Sequence, residues 1–365
     1  MIRISRPSIL PEDKERVLAV LDSGRLAAGP RVEEFEQTLA SYLGARYAVA
    51  TSSGTAALCA AAAAVGWGKG DKVITTSFSF IATANSLVSV GAVPVFVDID
   101  PKTYNLAPAA LEDALRRHPD CRGILVVHLY GLPADMEAIV RIAASRGIPV
   151  VEDCAQAIGA SVGGKRVGTF GLASAFSFYA TKNLATGEGG AVVSDDPKLV
   201  DRVRKLVDHG QTERYCHETL GYNYRMGEMQ AALGIGQLAR LDASNDARRA
   251  RAAIYDSTLT GAQIPSVSAG SRHVYHQYTI RVSQRETLMR RLDSSGVEAR
   301  VYYPRIMPDQ PVYKTLPCIV ADCPHARAAA LEVLSIPVHP LVTDDEVRYV
   351  SNIVNSLEPR AKGEP

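Results

Sequence analysis

Short apolar runs rich in Val and Ile recur through the first half of the chain at residues 72–77 (KVITTS), 94–99 (PVFVDI), 123–129 (GILVVHL), 149–154 (PVVEDC), 174–179 (SAFSFY) and 190–194 (GAVVS). They are continuous rather than alternating, as in strands buried on both faces of a parallel sheet. The stretches between them are amphipathic and helical in period, so the order predicts a three-layer α/β domain on a mainly parallel sheet, with ligands at the carboxyl ends of the strands. The pattern then changes. Residues 227–259 read as one long helix, followed by a strand-like HQYTIRV (276–282), a helix near 285–295, the run VEARVYY (297–303) and a terminal helix near 343–357. This predicts a large domain over 1–240 and a smaller α+β domain over 241–365. The tail PRAKGEP (359–365) has the composition of a frayed end.

Composition narrows the class. The chain has 365 residues, 47% of them hydrophobic, enough for a large core. A net charge of +1, from 40 basic and 39 acidic residues, argues against nucleic acid as a partner. No run reaches the roughly 18 apolar residues of a membrane span. MIRISRPSILPEDKERV carries charges where a signal peptide needs an apolar stretch, so the expected location is the cytoplasm, away from membranes. The six cysteines contain no Cys-x-x-Cys pair, and Cys154 reads as a buried thiol. The histidines lack Glu-x-x-His spacing. A metal site from His273, His276, His325 and His339 would need a tertiary coincidence, and no metal is expected.

The candidate chemistry starts at Lys182. ASAFSFYAT (173–181) reads as a buried strand that delivers a lysine at its end, ahead of the turn glycines Gly187, Gly189 and Gly190. An ammonium resists burial, whereas desolvation favours the neutral, nucleophilic amine that condenses with an aldehyde. That is the requirement for a Schiff-base lysine holding pyridoxal phosphate; the plainer reading is a solvated lysine capping a strand. Upstream, IPVVEDCAQAIGA (148–160) ends a strand in a carboxylate. A pyridoxal ring acts as an electron sink when its nitrogen stays protonated, which a paired carboxylate secures. Asp153 is the candidate. Glu152 competes for the role, but strand alternation sends the two side chains to opposite faces. Third, TSSGTAALCAAAAAVG (51–66) opens a helix with small residues: Gly54 permits close backbone approach, Ser53 and Thr55 supply hydroxyls, and the helix start favours an anion such as phosphate. The same residues also make an ordinary helix cap.

With these elements stand SGRLAAGPRVEEFEQTLASYLG (23–44), SSGTAAL (52–58), SFIATANSLVSVGAVPVFVDID (79–100), HLYG (128–131), EDCAQAIGA (152–160), FSFYATKNLATGEGG (176–190), GYNYRM (221–226), HQYTIRV (276–282) and SIPVHP (335–340). In these ordered blocks, spanning almost the whole chain, it resembles the fold-type I pyridoxal-phosphate enzymes, specifically the nucleotide-sugar aminotransferases of the DegT/StrS family. The resemblance implies that Lys182 forms the internal aldimine, Asp153 pairs with the pyridinium nitrogen, Gln156 contacts the ring face or its phenolic oxygen, and Phe80 stacks on the opposite face. Gly54, Thr55 and Ser177 would hold the phosphate, and Asn223 would reach it from a neighbouring subunit, which implies a homodimer.

The resemblance further implies a ping-pong transamination. An amino acid, L-glutamate, would donate its amine to a nucleoside-diphosphate keto sugar in amino-sugar, lipopolysaccharide or antibiotic-sugar biosynthesis, with Lys182 as base and acid. In VYYPRIMPDQPVY (301–313) the chain departs from the common pattern: Tyr302 replaces a histidine, and Arg305, Ile306 and Met307 follow where relatives read Pro-Leu-His. Arg25 stands where relatives often carry tryptophan. These positions bear on substrate rather than cofactor. Arg225, Tyr303 and Arg305 are candidate diphosphate ligands, because guanidinium and phenol groups suit phosphate oxygens. A cyclitol aminotransferase and a non-catalytic regulator on the same fold are the alternatives. Related dehydratases carry histidine in place of the lysine, and the glycines here do not make a Gly-x-Gly-x-x-Gly dinucleotide turn.

Overall fold

The computed structural model describes residues 1–357; the tail 359–365 lies outside the described residues. An eight-stranded sheet forms the centre. Its strands in chain order are β1 (Tyr47–Thr51), β2 (Lys72–Thr76), β3 (Val93–Val97), β4 (Gly123–Val127), β5 (Val150–Asp153), β6 (Ala173–Ser177), β7 (Gly190–Ser194) and β8 (Ile319–Val320). They lie side by side as β1-β7-β6-β5-β4-β2-β3-β8. All pairings are parallel except those of β7, which runs antiparallel to both β1 and β6.

The parallel strands are mainly apolar because helices cover both faces, and their polar residues, such as Asp153, gather toward the carboxyl ends. On one face the alanines of the Gly54–Val65 helix, including Ala57, Ala60, Ala61 and Ala64, pack with Val49, Ala173, Ala175 and Val192. Their short side chains bring this helix close to the sheet. On the other face the helices Pro108–Arg117 and Met136–Arg146 pack Leu111, Leu115, Met136 and Ile139 against Ile74, Val95, Ile124 and Val126. Side-chain caps start several helices: Ser53 Oγ accepts from the Ala56 amide, Asp135 from Ala138, and Thr343 shares a capping box with Glu346.

Two expectations are corrected. The segment 227–259 is two helices, Glu228–Ala239 and Leu241–Thr258, broken at Arg240, whose guanidinium is bound to Asp13 and to the carbonyls of Ser8 and Gly236. The run 297–303 forms no strand, only isolated bridges from Val297 to Ile2 and from Arg300 to Ser335; the strand Tyr278–Arg281 pairs instead with Val333–Ile336. A second core gathers Tyr255, Tyr278, Ile280, Leu288, Leu292, Leu334, Val347 and Val350, with Ile2 packed against it from the chain start. The chain also returns to the large sheet. Ile306, Cys323, Ala326 and Ala329 pack with Phe78, Ile99 and Val127, and β8 extends the sheet beyond β3. No described helix is long and apolar enough to cross a membrane.

Candidate active site

β7 alone reverses direction, so β1, β2, β4, β5 and β6 end on the same side of the sheet, and a cavity of about 490 Å³ opens beyond their carboxyl ends. Ser53, Gly54 and Thr55 enter it after β1, Phe80 and Thr83 after β2, Asp153 and Gln156 from β5, and Ser177 and Lys182 from β6; Tyr303 closes it from the far segment.

The lysine is not at a strand end. β6 stops at Ser177, the chain continues alongside residues 187–189 through Phe178 N–H to Gly189 O at 2.8 Å and Ala180 N–H to Gly187 O at 2.9 Å, and a turn closed by Lys182 N–H to Tyr179 O at 2.8 Å presents the side chain. Gly187 and Gly189 hold positive φ angles of 88° and 154° there, which glycine adopts without strain. Lys182 is half-buried against the cavity. Loss of hydration lowers its amine from 10.5 to about 8, against the opposing pull of Asp153.

Glu152 and Asp153 separate as alternation requires. The Glu152 carboxylate points away from the cavity and accepts the amides of Gly168, Phe170 and Gly171 at 2.8, 2.8 and 2.7 Å, with His128 Nε2 at 3.1 Å. His128, Glu152 and Cys154 are the one group of potential metal ligands that converges among the described residues; all three are buried, and the carboxylate is taken up by those amides. Asp153 faces the cavity. Burial raises its pKa above the ordinary carboxylate value, while the Thr83 hydroxyl at 2.7 Å, the Ala155 amide at 3.1 Å and the nearby Lys182 draw it back.

The helix start beside Ser177 is tight. A Cβ on Gly54 would meet the Ser177 Cβ at 2.5 Å and its Oγ at 2.9 Å, so glycine lets the first amides of this helix approach the Ser177 hydroxyl. Ser53 also serves as the helix cap, its Oγ accepting from the Ala56 amide at 3.1 Å. Gln156 is held at both ends: its Oε1 accepts from the Tyr130 amide at 2.7 Å and its Nε2 donates to the Tyr303 hydroxyl at 3.0 Å. Phe80 is 54% exposed and leans toward Tyr303, ring centroids 6.0 Å apart, leaving a large aromatic face open in the cavity wall.

Three predicted residues do not line this cavity within the chain. Asn223 is exposed, and its backbone bridges Asp208. Arg225 forms an ion pair with Asp208. Their segment nevertheless lies beside the helix start, since the Tyr224 carbonyl accepts from the Ser52 amide at 2.6 Å. Arg305 lines an adjoining cavity of about 410 Å³ that shares Ser79, Phe80 and Tyr303 with the first.

Sequence reasoning missed Thr83, Tyr179, Glu188, His276 and Gln277, all on the cavity wall, where Tyr302, expected to bear on substrate, also stands. Burial, reinforced by the charges of Lys182 and Arg248, holds the His276 imidazole far below its usual pKa and therefore neutral. Its Nδ1 faces Asn183 Oδ1 at 3.2 Å. The adjacency of His276 to the strand-like run was the available signal; its approach to Lys182 depends on the fold.

Residues 7–355 match the DegT/DnrJ/EryC1/StrS aminotransferase family. The pleiotropic regulatory protein of Geobacillus stearothermophilus is 42% identical over 92% of this chain and 93% of that protein. The UDP-N-acetyl-3-dehydro-alpha-D-glucosamine 3-aminotransferase of Acidithiobacillus ferrooxidans is 39% identical over 92% of this chain and 90% of that protein. Among solved structures, S. venezuelae DesV in complex with a ketimine intermediate superposes with a TM-score of 0.90 at 39% identity, covering 94% of this chain and 93% of that one. A cavity that joins a lysine of lowered pKa to a buried carboxylate thus sits in a chain matched along nearly its whole length, and the protein belongs to the DegT/DnrJ/EryC1/StrS aminotransferase family.

Proposed function

We propose that the chain is a pyridoxal-phosphate-dependent aminotransferase that moves an amino group from an amino acid, L-glutamate, to the keto carbon of a nucleoside-diphosphate sugar. The observation that carries this reading is the pairing in one cavity of Lys182, its pKa drawn down to about 8, with the buried Asp153. The residues present fit the cofactor. Gly54 leaves an anion cradle that a Cβ would fill, Asp153 is a buried carboxylate that gains by facing a cation, and Lys182 is nucleophilic near neutral pH.

When bound, the pyridoxal ring supplies an electron sink for charge developing at the donor carbon. The chain's own groups do the rest. Ser53, Gly54, Thr55 and Ser177 hold the phosphate through hydroxyls and the amides of the helix start. Asp153 keeps the ring nitrogen protonated, with Thr83 fixing the carboxylate. Phe80 would offer its face to the ring, and Gln156 would contact the ring face or its phenolic oxygen. Lys182 Nζ anchors the cofactor and, once released, takes up and returns the proton that amino transfer moves. Neutral His276 beside it leaves that task to the amine.

The protein works as a homodimer in this reading, with Asn223 reaching the neighbouring phosphate, and it acts in the cytoplasm. Arg225, Tyr303 and Arg305 recognise the diphosphate of the sugar nucleotide. The chain divides near Arg240 into a cofactor domain, 1–240, and a smaller domain, 241–365, a division supported by the helix break and the second core. The name of one relative points to regulation; the assembled Lys182–Asp153 site favours catalysis.

The test is the visible spectrum of the purified protein with pyridoxal phosphate, before and after L-glutamate. The expected result is a cofactor band that moves to shorter wavelength with glutamate and returns with a UDP-linked 3-keto sugar, whose amination mass spectrometry detects. A protein that binds no cofactor overturns the reading.

A further inference from the structure

A second cavity, of about 170 Å³, shares the Lys182 side chain with the first. Its walls are the N-terminal segment 5–8, the turn that carries Lys182 and the two helices that meet at Arg240. Three guanidinium groups line it. Arg240 is neutralised by Asp13. Arg6 sits exposed at the lip. Arg248 is different: it is only 5% exposed, its Nη1 donates to the Tyr275 carbonyl at 3.3 Å, and its buried Nε has no hydrogen-bond partner among the described residues. Burial alone lowers its pKa, to about 10, with no carboxylate among the described residues near enough to oppose the effect. A buried guanidinium without a counter-ion is costly, and the fork geometry of its donors suits a carboxylate or phosphate oxyanion.

The geometry points to a small-oxyanion site between Arg248, Arg6 and Lys182, with room for a short carboxylate or inorganic phosphate and none for a sugar nucleotide. The oxyanion supplies the missing counter-charge of Arg248. It also stands beside Lys182, which faces Asp153, Glu188 and His276 on the cofactor side and Arg6, Arg240 and Arg248 behind. Adding a negative charge to the rear group favours protonated Lys182, so occupancy tunes the amine. The site itself rests on geometry; its effect on catalysis rests on the proposed role of Lys182.

Calorimetric titration of the cofactor-saturated protein at constant ionic strength, with sodium acetate and separately with inorganic phosphate, tests the site. Saturating the cofactor fills the phosphate cradle of the first cavity. One-to-one binding is expected, weakened tenfold or more by Arg248→Met and severalfold by Arg6→Ala. Arg6 is exposed, so its replacement keeps the test informative should the buried variant fold poorly. Acetate binding assigns a carboxylate, phosphate binding assigns phosphate, and binding of neither, or affinity unchanged in both variants, overturns the site. If the protein takes up no cofactor, acetate titration of the cofactor-free chain still decides the matter. Coupling to Lys182 is read on the cofactor-free protein from the pH dependence of its labelling by an amine-reactive ester, followed by peptide mass spectrometry. The bound anion should move the midpoint up by about one unit in the wild type and not in Arg248→Met; an unmoved wild-type midpoint overturns the coupling.

Discussion

A Cβ at Gly54 would stand 2.5 Å from the Cβ of Ser177, so the start of the Gly54–Val65 helix touches the end of β6 through a missing side chain. That contact brings the helix amides and the Ser177 hydroxyl together at one point. Gly54→Ala should push them apart, costing about 1–3 kcal/mol of stability as overpacking does and lowering cofactor affinity tenfold or more. Thermal unfolding and equilibrium binding of pyridoxal phosphate, measured on the same variant, check both effects.

Lys182→Ala should abolish covalent attachment of the cofactor. After incubation with pyridoxal phosphate and borohydride reduction, intact-mass analysis should show the adduct on the wild type and none at this position in the variant. An undiminished adduct in the variant would assign attachment to another lysine.

Asp153→Asn should leave the fold and cofactor uptake in place but lower turnover by roughly 10³-fold, about 4 kcal/mol of transition-state stabilisation. Thr83→Val removes the 2.7 Å hydrogen bond that orients the carboxylate, together with the 3.1 Å contact to the Ser79 hydroxyl, and a loss of about 1 kcal/mol, near tenfold, is expected. Steady-state kcat with both variants separates the two roles; equal losses would mean that Thr83 contributes through more than this bond.

The neighbouring carboxylate should behave in the opposite way. Glu152→Ala strands the buried amide of Gly168 and the part-buried amides of Phe170 and Gly171, which bind it at 2.7–2.8 Å, and should cost about 3–5 kcal/mol of folding stability. Asp153→Asn should change stability by less than about 1 kcal/mol. Urea denaturation of the two variants compares adjacent residues with divided duties.

Lys182 also sets a pH dependence in the cofactor-free protein. Its amine falls from 10.5 to about 8 on folding, so the unfolded chain binds the proton more tightly. Its contribution to stability is therefore full above pH 10.5 and is lost as pH falls through 8, a change of about 3 kcal/mol. The stability of the wild type relative to Lys182→Met should decline over that interval and level off below it. A flat difference would show that the amine is not desolvated.

Some of this molecule is written in short stretches of chain. Mainly apolar runs specify β2 to β7, because a strand buried on both faces admits a polar side chain only where a partner satisfies it. Alternation alone sends Glu152 and Asp153 to opposite faces, and the small residues at 52–55 announce a helix start. These features were legible because each depends on near neighbours in the chain. The strand Tyr47–Thr51 was not seen, nor was the reversed direction of β7, since pairing partners follow from the whole sheet. The break at Arg240 is held by Asp13, from the far end of the chain.

The finished site depends on such distances. Thr83 reaches Asp153 across 70 residues of sequence and Gln156 reaches Tyr303 across 147, contacts that no local pattern encodes. The order of residues by itself determined which side chains could do the chemistry, because residue type and local geometry set intrinsic reactivity. Only tertiary packing decided which of them share a cavity, how far Lys182 and Asp153 shift from their usual pKa values, and that Arg248 is left buried without a counter-ion, because desolvation and charge act through space rather than along the chain.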